Sequence, residues 1–389
     1  MRPLLFAREL VSDLVSRRVE EGLASPATNK TQTTRYIATN ETHSHPHPAD
    51  LQPPLVGGPL PCPAIPGKTN LPEPLGEAWL TGTGCKIASG AYQGSSLGDA
   101  WHEMPAEWRG ENLLHTPDFP LLVKFIFPTE KLSIQVHPDD AYAALHEKSR
   151  GGRGKTEMWY AVNAEPGATL LAGLKPGVGK QEFKEAVEAH KNLEEFLQSH
   201  AVHPGDTFFI PAGTPHTIGP KMTICEVQQY SDLTYRIYDY DRTDAHGRKR
   251  DLHIEKSLEV MKFDQSQEIK TSPVAMPVAG FQNMLQAACP YFATEIWSIE
   301  KNYESPSHLT HFDLLVILHG AGAITSEGFA SPYHPGECWL IPAALGTFEF
   351  NPQEKTTVLR TFVPQLAVIR KFLYRAGFSE DQVARVTFG

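Results

Sequence analysis

Residues 131–159 read KLSIQVHPDDAYAALHEKSRGGRGKTEMW, and the fold turns on how they are read. Leu132, Ile134 and Val136 alternate with Ser133, Gln135 and His137, the two-residue period of a strand with one apolar face. Gln135 and His137 therefore leave the same side. His-Pro-Asp-Asp ends the strand, and Asp139 and Asp140 suit the capping of a helical turn beginning near Ala141. After a Gly/Arg-rich loop, Lys155-Thr156-Glu157 leads into a second apolar run, Met158 to Val162. An amide, an imidazole and a carboxylate returning on a neighbouring strand make half of a metal site, compatible with Zn, Fe, Mn or Ni. Taken alone, a Gln-x-His pair is more often exposed polarity than a ligand set.

Residues 205–216, GDTFFIPAGTPH, add the other half. A turn and a strand, Thr207 to Ile210, precede a corner built on Pro211 and Gly213; proline fixes its own φ and glycine is free to take a positive one. His216 is thereby presented at a strand end. The Gly-x5-Pro-x-Gly-x2-His spacing resembles the second motif of the cupin superfamily, whose histidine is a metal ligand in a small β-barrel. With the first stretch it makes a Gln135/His137/Glu157/His216 set.

QVHPDDAYA, GKTEMWY, PAGTPH and SDLTYRIYDYDR (Ser231 to Arg242), together with GEAWLTG (Gly76 to Gly82), resemble type I mannose-6-phosphate isomerase of the shorter bacterial form. The match runs from about Leu75 to about Arg242, with the motifs in the family's order. It implies one Zn(2+) per chain on those four ligands and interconversion of mannose 6-phosphate and fructose 6-phosphate through an enediolate. Arg236 matches a family arginine taken to be catalytic. Lys155 becomes a candidate for the phosphate or for the base, and Lys124 matches a lysine facing the substrate pocket. The residues themselves leave Arg236 either paired with Asp239 or Asp241 or aimed at an anion, and allow Lys155 and Lys124 to be surface lysines. Two other classes use the same ligands: a cupin metal oxygenase and a non-catalytic sugar-binding cupin.

The chain has 389 residues and a net charge of −10, enough for two domains and unsuited to general binding of nucleic acid or anionic membranes. A phosphate must be met by a local cluster. Five scattered cysteines without a C-x-x-C suit a reducing, cytoplasmic compartment and unpaired thiols. No apolar stretch approaches the roughly 20 residues of a membrane span. The expected partner is a small hexose phosphate, and the expected assembly a monomer or homodimer.

Residues Pro3 to Leu23 read as an amphipathic helix, and Ser25 to Pro74 as an irregular tail in which His43, His45 and His47 are solvated. The family's Trp-Gly strand ahead of the Gly-Glu-x-Trp segment is not found, so an edge strand is expected to be missing. From Trp79 on, short strands with Gly/Pro turns predict a mainly β chain of two cupin-like jelly-roll barrels. The first spans 75–272, with a helical insertion at about 179–200 on Phe183, Val187, Leu193, Phe196 and Leu197. The second, 273–389, is announced by an internal repeat: HPGECWLIPA at 334–343 echoes HPGDTFFIPA at 203–212. It has Ala344-Leu345-Gly346-Thr347 where the first has Gly213-Thr214-Pro215-His216, so it is expected to lack the metal site. His308, His311 and His319 are assigned to packing or surface.

Overall fold

Two-residue alternation governs most of the chain, and the sheets follow from it. The computed structural model describes residues 4–6, 76–243, 246–263 and 268–389. One sheet orders the strands Glu77–Trp79, Leu121–Ile126, Met222–Gln229, Glu157–Ala164 and Thr207–Ile210. A second orders Tyr235–Tyr238, Ile134–Val136, His216–Ile218, Thr169–Leu174 and Leu197–Ala201. Ile126, Trp159, Ala161, Phe208 and Ile224 from the first meet Leu170, Ala172 and Ile218 from the second in one buried cluster. Burial of each large apolar side chain there contributes roughly 1.5–3 kcal/mol.

Beyond Lys270 the pattern recurs. An eight-stranded sheet contains Gln282–Ala288, Ala293–Ile299, Thr356–Phe362, Asp313–His319 and Cys338–Ile341. It faces a sheet of Tyr303–Pro306, Thr347–Pro352, Gly322–Ser326 and Phe329–Tyr333 across Trp297, Ile317, Ile324, Tyr333, Trp339 and Phe350. The outer faces of the two large sheets pack on each other: Val123, Phe125 and Val227 join Leu314, Val316 and Leu340 in a shared core with Trp101, Phe119 and Phe312. The mainly β prediction stands.

Three expectations are corrected. The insertion at 179–200 is not one helix: it is a helix over Lys180–Glu188, a 3-10 turn over Leu193–Phe196 and a strand over Leu197–Ala201 paired to Thr169–Leu174. Asn192 accepts from Glu194 N and starts the new turn, and Gln198 to Ala201 alternate half-buried and exposed as a strand does. Leu4–Phe6 is a strand, not the start of a helix; the rest of 3–23, and His43, His45 and His47, lie outside the described residues. That strand runs between Cys338–Ile341 and Ile87–Ser89, whereas Glu77–Trp79, in the Gly-Glu-x-Trp segment, stands at the edge of its own sheet among the described residues. Cys85 is disulfide-bonded, while Cys225, Cys289 and Cys338 are free and buried.

The corner predicted at Pro211–Gly213 forms as read. Gly213 has φ 88° and donates its N–H to His137 O at 2.8 Å, tying the corner to the other half of the site. A Cβ on Gly213 would meet Val260 O at 2.8 Å, whereas Gly177, with φ 86°, faces open space. Gly213→Ala is expected to destabilise by ~1–3 kcal/mol beyond Gly177→Ala, since both share the positive-φ strain and only one adds the clash. Urea denaturation of the two variants checks this; equal losses would show that the corner yields.

Candidate metal centre

Glu77, Lys124, Glu157 and Glu226 sit on inward positions of mostly apolar strands. Along Leu121–Ile126, Leu121, Val123 and Phe125 face the shared core, which sends Lys124 inward. The same count turns Glu77 and Trp79, Glu157 and Trp159, and Glu226 and Gln228 to that side. Across from them Gln135 and His216 are cross-strand partners. His137 follows two residues after Gln135, where the alternation of side chains predicted it.

The ligand-bearing atoms converge. His137, Glu157 and His216 offer donor atoms that all lie within 4.8 Å of one another, and all three residues are buried. His216 Nε2 is 3.3 Å from Glu157 Oε1, and His137 Nε2 is 3.7 Å from Glu157 Oε2. The Gln135 amide nitrogen stands 3.3 Å from His216 Nε2; turning the amide end over would bring its oxygen there instead. His137 Nδ1 donates to Leu233 O at 2.7 Å and His216 Nδ1 to Thr214 O at 2.9 Å. Those bonds leave both Nε2 lone pairs directed at the centre, the arrangement that orients metal-binding histidines. Burial, reinforced by the Lys155 charge, holds the His137 imidazole well below its ordinary range. His216 is also pushed down, by burial first, with Glu157 opposing and Lys155 adding. Both rings are therefore neutral and able to donate a lone pair. Neither Glu157 oxygen meets a hydrogen-bond donor of good geometry, although Lys155 Nζ stands 2.6 Å from Oε2 as an ion pair. Two neutral imidazoles and a buried carboxylate short of donors fit a divalent cation.

Lys155 and Lys124 are not surface lysines; both are buried. Lys155 Nζ lies 3.1 Å from His137 Nε2 and 3.9 Å from Glu226 Oε1, and burial lowers its pKa despite the opposing pull of Glu157. Lys124 Nζ is held by Glu226 at 2.8 Å and Glu77 at 3.4 Å. Glu77, Glu226, Trp79 and Trp159 were not singled out from the sequence. Trp79 Nε1 donates to Glu77 at 3.0 Å and Trp159 Nε1 to Glu226 at 3.0 Å, so each indole fixes a carboxylate. A glutamate in the otherwise apolar run MTICEV was the available signal for Glu226.

Arg236 stands at the mouth as the cross-strand partner of Gln135. Its Nε donates to Ser133 Oγ at 3.3 Å and its Nη1 to Asp251 O at 3.1 Å. The Asp239 carboxylate goes to Arg242 and Arg250 and that of Asp241 to Lys249. The alternation expected over Thr234 to Tyr240 holds, with Thr234, Arg236 and Tyr238 half-buried and Tyr235 and Ile237 buried in the neighbouring apolar cluster, although the pairing with Ile134–Val136 carries a bulge between Arg236 and Tyr238. Arg236, Arg248, Lys249, Arg250, Asp251 and His253 line a cavity of about 460 Å³.

Residues 63–164 match the family model for the catalytic domain of type I phosphomannose isomerase. Mannose-6-phosphate isomerase ManA of Bacillus subtilis is 35% identical over 265 residues, 68% of this chain and 81% of that protein. The chain belongs to the type I phosphomannose isomerase family. A crystal structure of the mannose 6-phosphate isomerase from Bacillus subtilis matches with a TM-score of 0.67 at 28% identity, covering 74% of this chain and 89% of that one. A mannose 6-phosphate isomerase bound with zinc and yttrium shares the fold at a TM-score of 0.58 and 16% identity, covering 75% of this chain and 91% of that one. No helix among the described residues is long and apolar enough to cross a membrane.

The lowered imidazoles carry a pH signature. In the unfolded chain both histidines titrate near ~6.5, and in the folded one lower. Below about 6.5 the unfolded state therefore binds more protons, and stability falls as pH falls until the folded pKa values are passed. The urea midpoint of the metal-free protein is expected to drop from pH 7 to pH 5, with a shallower drop for His137→Gln. A midpoint that is flat or rises on acidification would contradict the neutral assignment.

Proposed function

We propose that the chain interconverts mannose 6-phosphate and fructose 6-phosphate at this centre, with one Zn(2+) per chain held by Gln135, His137, Glu157 and His216. The observation that carries the reading is the convergence of His137, Glu157 and His216 on one buried point. In this reading residues 75–272 form the catalytic cupin barrel, 273–389 a second cupin-like barrel, and 1–74 an extension.

Three carboxylates (Glu77, Glu157, Glu226) and two ammonium groups (Lys124, Lys155) leave the cluster one negative charge in excess while the imidazoles are neutral. A divalent ion turns that into an excess of one positive charge. When bound, it acts as a Lewis acid toward the oxygens of the developing enediolate, worth several kcal/mol. The residues do the rest. Lys155, its pKa lowered by burial, acts as the neutral amine once it has released its own proton to solvent: it takes the proton from C2 of the aldose and returns it to C1, while the O2 hydroxyl proton passes to O1. Glu226 and Glu77 hold Lys124 in place, so Lys124 sets the charge around the substrate and contacts it at close range. Arg236 faces the substrate's anionic end from the basic cavity, where a dianionic phosphate meets several cationic side chains. The walls of apolar strands keep water from the enediolate.

An oxygenase would use the same ligands with Fe(II) and O2, and a binding protein would hold the sugar without turnover. A coupled assay with metal analysis separates the three. His216→Ala is expected to lose the bound metal and at least ~10²-fold in turnover. Arg236→Ala is expected to keep the metal and raise KM for the sugar phosphate. Full turnover by a metal-free His216→Ala protein would refute the site; unchanged KM in Arg236→Ala would refute the phosphate assignment.

A further inference from the structure

The repeat at 203–212 and 334–343 can be extended strand by strand through the pairing registers. Glu157 pairs with Ile210, and Asp313 pairs with Ile341, the same isoleucine of the repeat. Trp159 pairs with Glu226, and Leu315 with Arg360. Glu226 pairs with Lys124, and Arg360 with Glu295. Lys124 pairs with Trp79 and Glu295 with Leu285, which makes Glu77 and Asn283, each two residues earlier, equivalent. On the facing sheets His216 pairs with Gln135 and Thr347 with Pro306. His137 and His308, each two residues further on, therefore correspond. So do Lys155 and His311, each two before the carboxylate. The second sheet pair thus repeats the candidate metal centre position for position, with the charges permuted.

Arg360 is the hub of the copy. Its Nε donates to Asp313 Oδ1 at 2.8 Å, its Nη1 to Glu295 Oε2 at 3.0 Å and its Nη2 to His311 Nε2 at 3.1 Å. It is buried at 5% exposure, with Phe362 and Trp297 against the guanidinium at 4.2 and 5.3 Å. Trp297 Nε1 and Asn283 Nδ2 also donate to Glu295, at 2.8 and 3.1 Å, as Trp79 and Lys124 do to Glu77. The donor atoms of His308, His311 and Asp313 lie within 4.8 Å of one another. The turn that carries them is held by Gly110, where a Cβ would come within 2.5 Å of the His311 backbone. One cation against two carboxylates leaves one negative charge in excess, the same balance as in the first centre. There the balance suits a divalent ion; here the guanidinium already lies on the lone pair of His311 and on both carboxylates.

We infer that the second centre is a closed metal site, in which the Arg360 guanidinium is a built-in cation over the latent divalent-metal donors His308, His311, Asp313 and Glu295. Removing the guanidinium uncovers one imidazole lone pair and two buried carboxylates with no positive partner. A borderline metal such as Zn(2+) or Co(2+) suits that mixture of nitrogen and oxygen donors. The inference depends on neither the isomerase reading nor the occupancy of the first centre, because it is measured as metal in excess of the wild-type content.

The test is metal content per chain, by elemental analysis after equilibration with Zn(2+) and by Co(2+) absorption, on the full-length wild type, Arg360→Ala, Arg360→Lys and Arg360→Ala/Asp313→Asn. Arg360→Ala is expected to hold one ion more than the wild type. Arg360→Lys, which keeps a cation, and the double variant, which removes a donor, are expected to show no gain. Thermal melting guards against a folding artefact: Arg360→Ala should melt lower than the wild type without metal and should gain more on adding metal than the wild type does. A folded Arg360→Ala protein with no extra ion overturns the inference. So does an Arg360→Ala protein that cannot be obtained folded even with metal, or a wild type that already carries an ion lost on Asp313→Asn.

Discussion

Burying carboxylates in an interior without water is the constraint on which the rest depends. Glu157 has no solvent exposure and Glu226 almost none, and an unpaired ionised carboxylate there would cost several kcal/mol. The fold answers with two cations: Lys124, placed by strand alternation directly across from Glu226, and Lys155, in the loop two residues ahead of Glu157. A register slip of one residue would turn Lys124, Glu226 and Glu157 into the apolar core between the two large sheets. Charge compensation and hydrophobic packing therefore specify the same register, and the site is as precise as the sheet that bears it.

The same constraint explains why the candidate ligands are supplied as they are. Burial beside Lys155 keeps both imidazoles unprotonated, which a cation site needs and a salt bridge to Glu157 would not. Backbone carbonyls at Leu233 and Thr214 take the remaining ring protons, and the left-handed Gly213 corner ties His137 to the segment that presents His216. The second sheet pair sets one arginine against two carboxylates where the first sets two lysines against three, so one framework offsets its carboxylates in two ways.

Local patterns made much of this legible. Alternation over Leu132 to His137 and the Pro-x-Gly-x-x-His corner mark the strands of the candidate ligands, and Asp139 caps its helix by accepting from Tyr142 N. What stayed hidden depends on partners distant in sequence. Lys124 looks like one snorkelling lysine until Glu226, about a hundred residues on, is seen opposite it. His311 looks like a surface histidine until Arg360 joins it. The stretch after Glu188 was misread because Leu193, Phe196 and Leu197 fit a helical spacing, and pairing with Thr169–Leu174 decided for a strand. The C-terminal helix Glu380–Ala384 does carry a local signal, the capping box of Ser379 and Gln382 readable from Ser-x-x-Gln.

The account stands or falls on where a metal sits. Crystals grown with zinc, with diffraction recorded on both sides of the zinc absorption edge, locate the ion without reference to activity. The account predicts an anomalous peak enclosed by Gln135, His137, Glu157 and His216, at ligand distances of about 2.0–2.2 Å. A folded, zinc-saturated chain with no peak there, or with its ion bound elsewhere, would contradict it.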